Sequence, residues 1–96
     1  MNRARAIELL KQSKPILAAR HGVTQLALFG STARDAARDG SDVDVLVAFD
    51  GPATSERYFG VQFYLEDLLG CAVDLVTEKA LRPELRSFIE KEAVRV

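Results

Sequence analysis

The run Ser41-Asp42-Val43-Asp44-Val45-Leu46-Val47 constrains how this chain can fold more than any other stretch. Valines at alternate positions favour extended backbone, where successive side chains leave on opposite faces. Val43, Val45 and Val47 therefore take one face and enter a core. Asp42 and Asp44 share the other face, roughly 7 Å apart along the chain. Two like charges held this way at a strand end repel and raise each other's pKa. A bound cation would remove that cost. The pair also admits a plainer reading, with Asp42 capping a turn and Asp44 exposed at the start of the strand.

The strand runs from Val43 to Phe49, between the turn Asp39-Gly40-Ser41 and the turn Asp50-Gly51-Pro52. Leu26-Ala27-Leu28-Phe29, wholly apolar and ended by Gly30, reads as a second buried strand. Ala72 to Thr77 reads as a third. Helical spacing fills the gaps. Ile7 and Leu10 open one helix, Ser13 and Pro15 break it, and Ile16, Leu17 and Ala19 continue as another that stops at Gly22. Ser31 to Arg38 forms a short helix capped by Ser31. Thr54 to Leu69 is the longest, ended by Gly70. Its residues Tyr58, Val61, Leu65 and Leu68 follow one stripe, with Phe59 and Phe63 on an adjacent one. Pro83 opens a last helix through about Glu92, with Leu85, Phe88 and Ile89 facing inward. This order predicts an α/β (α+β) fold, a small mixed sheet of three core strands flanked by helices, with an edge strand at 93–96. With 96 residues, a single domain over 1–96 is expected.

Composition removes several classes of function. A net charge of -1 does not suit direct gripping of a nucleic-acid backbone, which needs a positive field. One Cys and one His exclude an internal disulfide and a Cys/His zinc cluster. No apolar run approaches the roughly 20 residues of a membrane span. The segment from Met1 to Ala6 lacks the apolar core of a signal peptide, so the cytoplasm is the expected location.

Asp74 adds weight to the D-x-D pair. It interrupts the apolar strand Ala72-Val73-Asp74-Leu75-Val76. A charge in such a strand is rarely buried without a partner or a metal. If this strand lies beside the second, Asp74 points to the same spot as Asp42 and Asp44. An all-oxygen set of that kind suits Mg²⁺ or Mn²⁺ rather than Zn²⁺. Two such ions could stabilise the attacking and leaving oxygens of an in-line displacement at phosphorus. The alternative for Asp74 is a sheet-edge position facing water.

Gly30-Ser31 follows the first strand and opens a helix. Glycine lets backbone approach a phosphate closely, and the free amides of a helix start favour an anion. The Ser31 hydroxyl and the Arg34 guanidinium, one turn later, could add donors. Alternatively Gly30 only turns the chain, Ser31 only caps, and Arg34 only pairs with Asp35 or Asp39. Neither a P-loop nor a dinucleotide glycine fingerprint is present.

Taken together, Gly30-Ser31, ten residues, and then Asp42-x-Asp44 resemble the G-S-x10-D-x-D signature of the DNA polymerase beta-like nucleotidyltransferase superfamily. The remainder resembles its minimal nucleotidyltransferase branch, the antitoxins paired with HEPN-domain toxins. The likeness runs through Gly22-Val23, Ala33-Arg34, Tyr64 to Gly70, Val73-Asp74-Leu75-Val76 and the tail from Leu81 to Val94. The resemblance implies that Asp42, Asp44 and Asp74 form the metal and catalytic triad and that Gly30 and Ser31 bind nucleotide phosphates. Arg34 and Ser41 join them as nucleotide-binding candidates. It implies Mg²⁺ or Mn²⁺ as cofactor, ATP as substrate, and transfer of AMP to a tyrosine of a HEPN-type toxin ribonuclease, encoded alongside, with release of pyrophosphate. Two other functions fit the same sequence: an antitoxin that neutralises its partner by contact alone, and a small-molecule nucleotidyltransferase. The family usually has Gly after the Ala-Arg pair, where this chain has Asp35. A carboxylate there weakens triphosphate binding unless it points away.

Overall fold

The computed structural model describes residues 1–38 and 40–96, so the Asp39 part of the expected turn lies outside the described residues. A 19-residue helix α1 (Arg3–His21) comes first. Its start is capped by Asn2, whose side chain accepts from Arg5 N at 2.8 Å. Gly22 closes it in the left-handed conformation. The sequence predicted two helices divided at Ser13 and Pro15, and the structure joins them. Leu9, Leu10, Ser13 and Leu17 form one buried edge of a continuous α1, so packing outweighs the bond that proline removes. The buried Ser13 hydroxyl is satisfied by donating to Leu10 O at 2.9 Å.

Strand β1 (Val23–Phe29) leads into α2 (Gly30–Ala33), followed by β2 (Val43–Phe49), α3 (Ser55–Leu69) and β3 (Val73–Thr77). A single 3-10 turn (Glu78–Ala80), α4 (Pro83–Glu92) and the two-residue β4 (Val94–Arg95) complete the chain. The sheet has four strands in the order β3-β2-β1-β4. β1 is antiparallel to both β2 and β4, while β2 and β3 run parallel. The mixed sheet is therefore the expected one, with the edge strand as a fourth member.

Alternation along β2 divides the molecule. Val43, Val45 and Val47 join Leu10, Leu17 and Leu28 with Val61 and Leu65 of α3, forming the main core against α1 and α3. The other face carries a much smaller cluster of Ala27, Leu46 and Leu81, against which Ile89 packs. That small cluster explains a correction to α4. Ile89 turns inward as expected, but Leu85 and Phe88 are 49% and 71% exposed, because too little apolar sheet remains to cover them. On α3, Phe59 and Phe63 stay exposed while Val61 and Leu65 are buried. Among the described residues no helix is long and apolar enough to cross a membrane.

Candidate functional site

The second sheet face ends in carboxylates. In the parallel β2–β3 pair Asp44 is in register with Asp74, and in the antiparallel β1–β2 pair it faces Phe29. Neighbouring strands lie about 4.8 Å apart, so Asp44 and Asp74 stand side by side on one face, with the Phe29-Gly30 turn on Asp44's other flank. Asp44 is half-buried, while Asp42 and Asp74 are exposed.

This placement holds the Asp44 carboxyl above its ordinary pKa. Burial is the largest cause, followed by Asp74, through its charge and a hydrogen bond between the two side chains, and then Asp42. Arg34 opposes the shift. Among the described residues no three His, Cys, Asp or Glu side chains are gathered closely enough to hold an ion. The structure brings Asp44 and Asp74 together and leaves Asp42 at the rim, on the residue before β2.

The donor chemistry fits a hard divalent cation. Mg²⁺ is commonly held by one or two carboxylates together with substrate phosphates rather than by a complete protein cage. A neighbouring positive charge would also relieve the repulsion that Asp44 bears.

Gly30 has a φ of 72°, in the left-handed region, and sits against the Asp44 side chain. The helix expected over Ser31 to Arg38 is only the single turn α2, with Phe29 rather than Ser31 at its N-cap. A helix this short has little macrodipole, so it offers an anion less than the longer helix would. The reason for the early stop is visible in the backbone. Asp35 N donates to Thr32 O at 3.1 Å and Ala36 N to Ser31 O at 2.8 Å. That 5→2 and 6→1 pair is a Schellman closure, and Asp35 fills its left-handed position with φ 57°. The Asp35 carboxylate accepts from Arg3 N at 3.2 Å, at the start of α1.

Arg34 pairs with Glu92 of α4 rather than with Asp35, its Nη1 lying 3.0 Å from Glu92 Oε1. The Ser41 hydroxyl is taken up in its own loop, accepting from Arg38 N at 3.2 Å, while Ser41 N donates to Arg38 O at 3.0 Å. Thr32 is fully buried next to Ser31, and its hydroxyl finds no partner among the described residues. Sequence reasoning missed Glu92. The available signal was a carboxylate ending a helix, where cations are favoured. A cavity of about 210 Å³ lined by Val47, Phe49, Thr77, Lys79 and Arg86 lies at the far ends of β2 and β3, away from Asp44 and Asp74.

A parallel strand pair presenting adjacent carboxylates beside a glycine turn agrees with what comparison of the whole chain finds. The model of the nucleotidyltransferase domain family matches residues 10–96, and the chain belongs to that family. Among its relatives is the protein adenylyltransferase MntA of Thermococcus cleftensis, 36% identical over 88 residues that span 92% of this chain and 89% of that protein. A solved structure provisionally described as a minimal nucleotidyltransferase superposes with a TM-score of 0.79 at 40% identity, covering 100% of this chain and 97% of the other. The resemblance to minimal nucleotidyltransferases is thus borne out.

Two further structures share the fold at lower identity. One is a toxin–antitoxin with AMP-PNP, with a TM-score of 0.70 at 21% identity, covering 99% of this chain and 72% of that one. The other is a tri-AMPylated Shewanella oneidensis HEPN toxin in complex with an MNT antitoxin, with a TM-score of 0.60 at 20% identity, covering 98% and 67%.

Proposed function

We propose that this chain is an antitoxin-type protein nucleotidyltransferase that moves AMP from ATP onto a tyrosine of a HEPN-type toxin and releases pyrophosphate. The observation that carries the reading is the registered pair Asp44 and Asp74 beside the Gly30-Ser31 turn. Support for the acceptor comes from the relative named a protein adenylyltransferase and from the fold shared with an AMPylated HEPN toxin's antitoxin.

In this reading Asp44 and Asp74, with Asp42 completing the set once substrate is bound, hold Mg²⁺ or Mn²⁺. The cation would neutralise charge building on the phosphates and the leaving oxygen. Gly30 and Ser31 seat the triphosphate close to the backbone, and Arg34 contributes donors from one turn further on. The acceptor hydroxyl oxygen forms a bond to the α-phosphorus as the bond from that phosphorus to the pyrophosphate oxygen breaks. The hydroxyl proton passes to a carboxylate of this set. Positioning supplies much of the rate in such transfers, so the acceptor must be held in place by its own protein.

A second reading has one specific observation in its favour. Leu85 and Phe88 on α4, and Phe59 and Phe63 on α3, expose apolar surface that could bind a partner without any chemistry. Co-expression with a HEPN-type protein encoded alongside, followed by intact-mass measurement, separates the two. AMP-sized additions to the partner that disappear with Asp42→Ala support transfer. A stable complex with no added mass under ATP and Mg²⁺ supports neutralisation by contact alone.

A further inference from the structure

Glu92 is a carboxylate at a place that disfavours one. It is the last residue of α4, where unsatisfied carbonyls give the helix end a partial negative charge. Arg34 compensates, its Nη1 donating to both Glu92 oxygens at 3.0 and 3.1 Å.

The backbone explains why the two meet. β4 pairs Val94 with Leu28, which places Glu92 two residues before a fixed register point on the strand that turns through Gly30. The two-residue edge strand thereby anchors the end of α4 beside the turn that carries Arg34.

The consequence is better sought in the site than in stability. The side chains of Arg34 and Glu92 are 54% and 28% exposed, and an ion pair that open contributes little to folding. Arg34 lies one turn from Gly30, its backbone N donating to Gly30 O at 3.2 Å. Its hydrogen bonds to Glu92 engage Nη1, so the rest of the guanidinium fork can still turn to another anion.

We propose that Glu92 is a positioning residue for the nucleotide site, holding Arg34 by Nη1 so that its remaining N–H groups meet the phosphates of a nucleoside triphosphate seated at Gly30-Ser31. The proposal rests on the nucleotidyltransfer reading above. A free arginine side chain loses rotamer freedom when it binds an anion, and ordering it beforehand removes part of that cost from binding.

Titration calorimetry with ATP and Mg²⁺, alongside thermal melts, tests this on the wild type, Glu92→Gln, Arg34→Ala and the double variant. Glu92→Gln should weaken ATP binding about 3–10-fold with little change in melting temperature, because it loosens a side chain without removing it. Arg34→Ala should weaken it more. The double variant should bind no worse than Arg34→Ala alone, since Glu92 acts only through Arg34. Wild-type affinity in Glu92→Gln, or an equal loss from Glu92→Gln with and without Arg34, would overturn the role of Glu92 while leaving the nucleotide site standing. Failure of the wild type itself to bind ATP would remove the nucleotidyltransfer reading and this role with it.

Discussion

Gly30 lies so close to Asp44 that a β-carbon on residue 30 would fall within the Asp44 carboxylate. The contact couples the turn after β1 to the carboxylates at the start of β2. Gly30 also has a φ of 72°, so any side chain there meets two penalties. Gly30→Ala is expected to lose roughly 1–2 kcal/mol from the left-handed backbone alone. Displacement of Asp44 should add to this and abolish ATP binding in Mg²⁺. Urea titration measures the first effect and calorimetry the second. A folded Gly30→Ala protein that binds ATP like the wild type would uncouple the turn from the carboxylates.

Asp35 stands in the left-handed position of a Schellman closure, where glycine is the usual occupant. Asp35→Gly should therefore stabilise the fold by up to about 1 kcal/mol, less whatever the hydrogen bond to Arg3 N contributes. The Asp35 carboxylate is engaged at the start of α1, so its removal should leave ATP affinity within about twofold of the wild type at physiological salt. The bond to Arg3 N is the case in which the carboxylate points away from the phosphates, where no weakening is expected. Thermal melts and ATP titration of the same sample check both parts. A tenfold gain in affinity would show that the carboxylate does reach the phosphates.

These two positions mark the boundary of what could be read from the sequence. β2 was legible from Val43 to Phe49 because its valines alternate, and one buried face fixes the register of a strand. The pairing that sets Asp44 beside Asp74 stayed conditional in the sequence, since two apolar strands joined by one long helix need not be neighbours; the parallel register makes them so. The continuity of α1 through Pro15 was not legible, because it depends on the sheet that Leu10 and Leu17 cover. Nor was the length of α2, since an aspartate at residue 35 gives no sign that its backbone is left-handed. The outward turn of Leu85 and Phe88 follows from how little apolar sheet lies beneath α4, a property of three strands at once. Helical spacing alone could not reveal it.

Gly60, within α3, is a packing position rather than a flexible one. A β-carbon there would collide with the His21 ring at the end of α1. Alanine is about 1 kcal/mol better than glycine inside a helix, so in isolation Gly60→Ala would help. Overpacking typically costs about 1–3 kcal/mol, and here the clash is with the half-buried ring of His21. The expected net result is destabilisation. His21→Ala combined with Gly60→Ala should recover most of the loss, because the alanine methyl then occupies space the ring has left. Urea titrations of the four proteins give the coupling energy directly. A Gly60→Ala variant more stable than the wild type would show that the ring can move aside without penalty.

The raised pKa of Asp44 turns the site into a measurable burden on folding. Because burial and Asp74 favour the protonated form, the folded state binds more protons than the unfolded state between the unfolded and folded pKa values. Stability from this group is therefore greatest below the unfolded value, about 3.9, and falls as pH rises through the folded value. At pH 7 the ionised carboxylate opposes folding. Asp44→Asn should raise the melting temperature at pH 7 in the presence of a chelator, and the difference from the wild type should shrink towards pH 4. The same substitution should abolish ATP binding in Mg²⁺, since it removes a charge and a ligand oxygen from the pair. Added Mg²⁺ should raise the melting temperature of the wild type more than that of Asp44→Asn, because binding to the folded state alone stabilises it. Melts of both proteins across this pH range, with chelator and with Mg²⁺, measure all three effects. A lower melting temperature for Asp44→Asn at pH 7 would mean that the Asp44 carboxylate stabilises the fold instead of straining it.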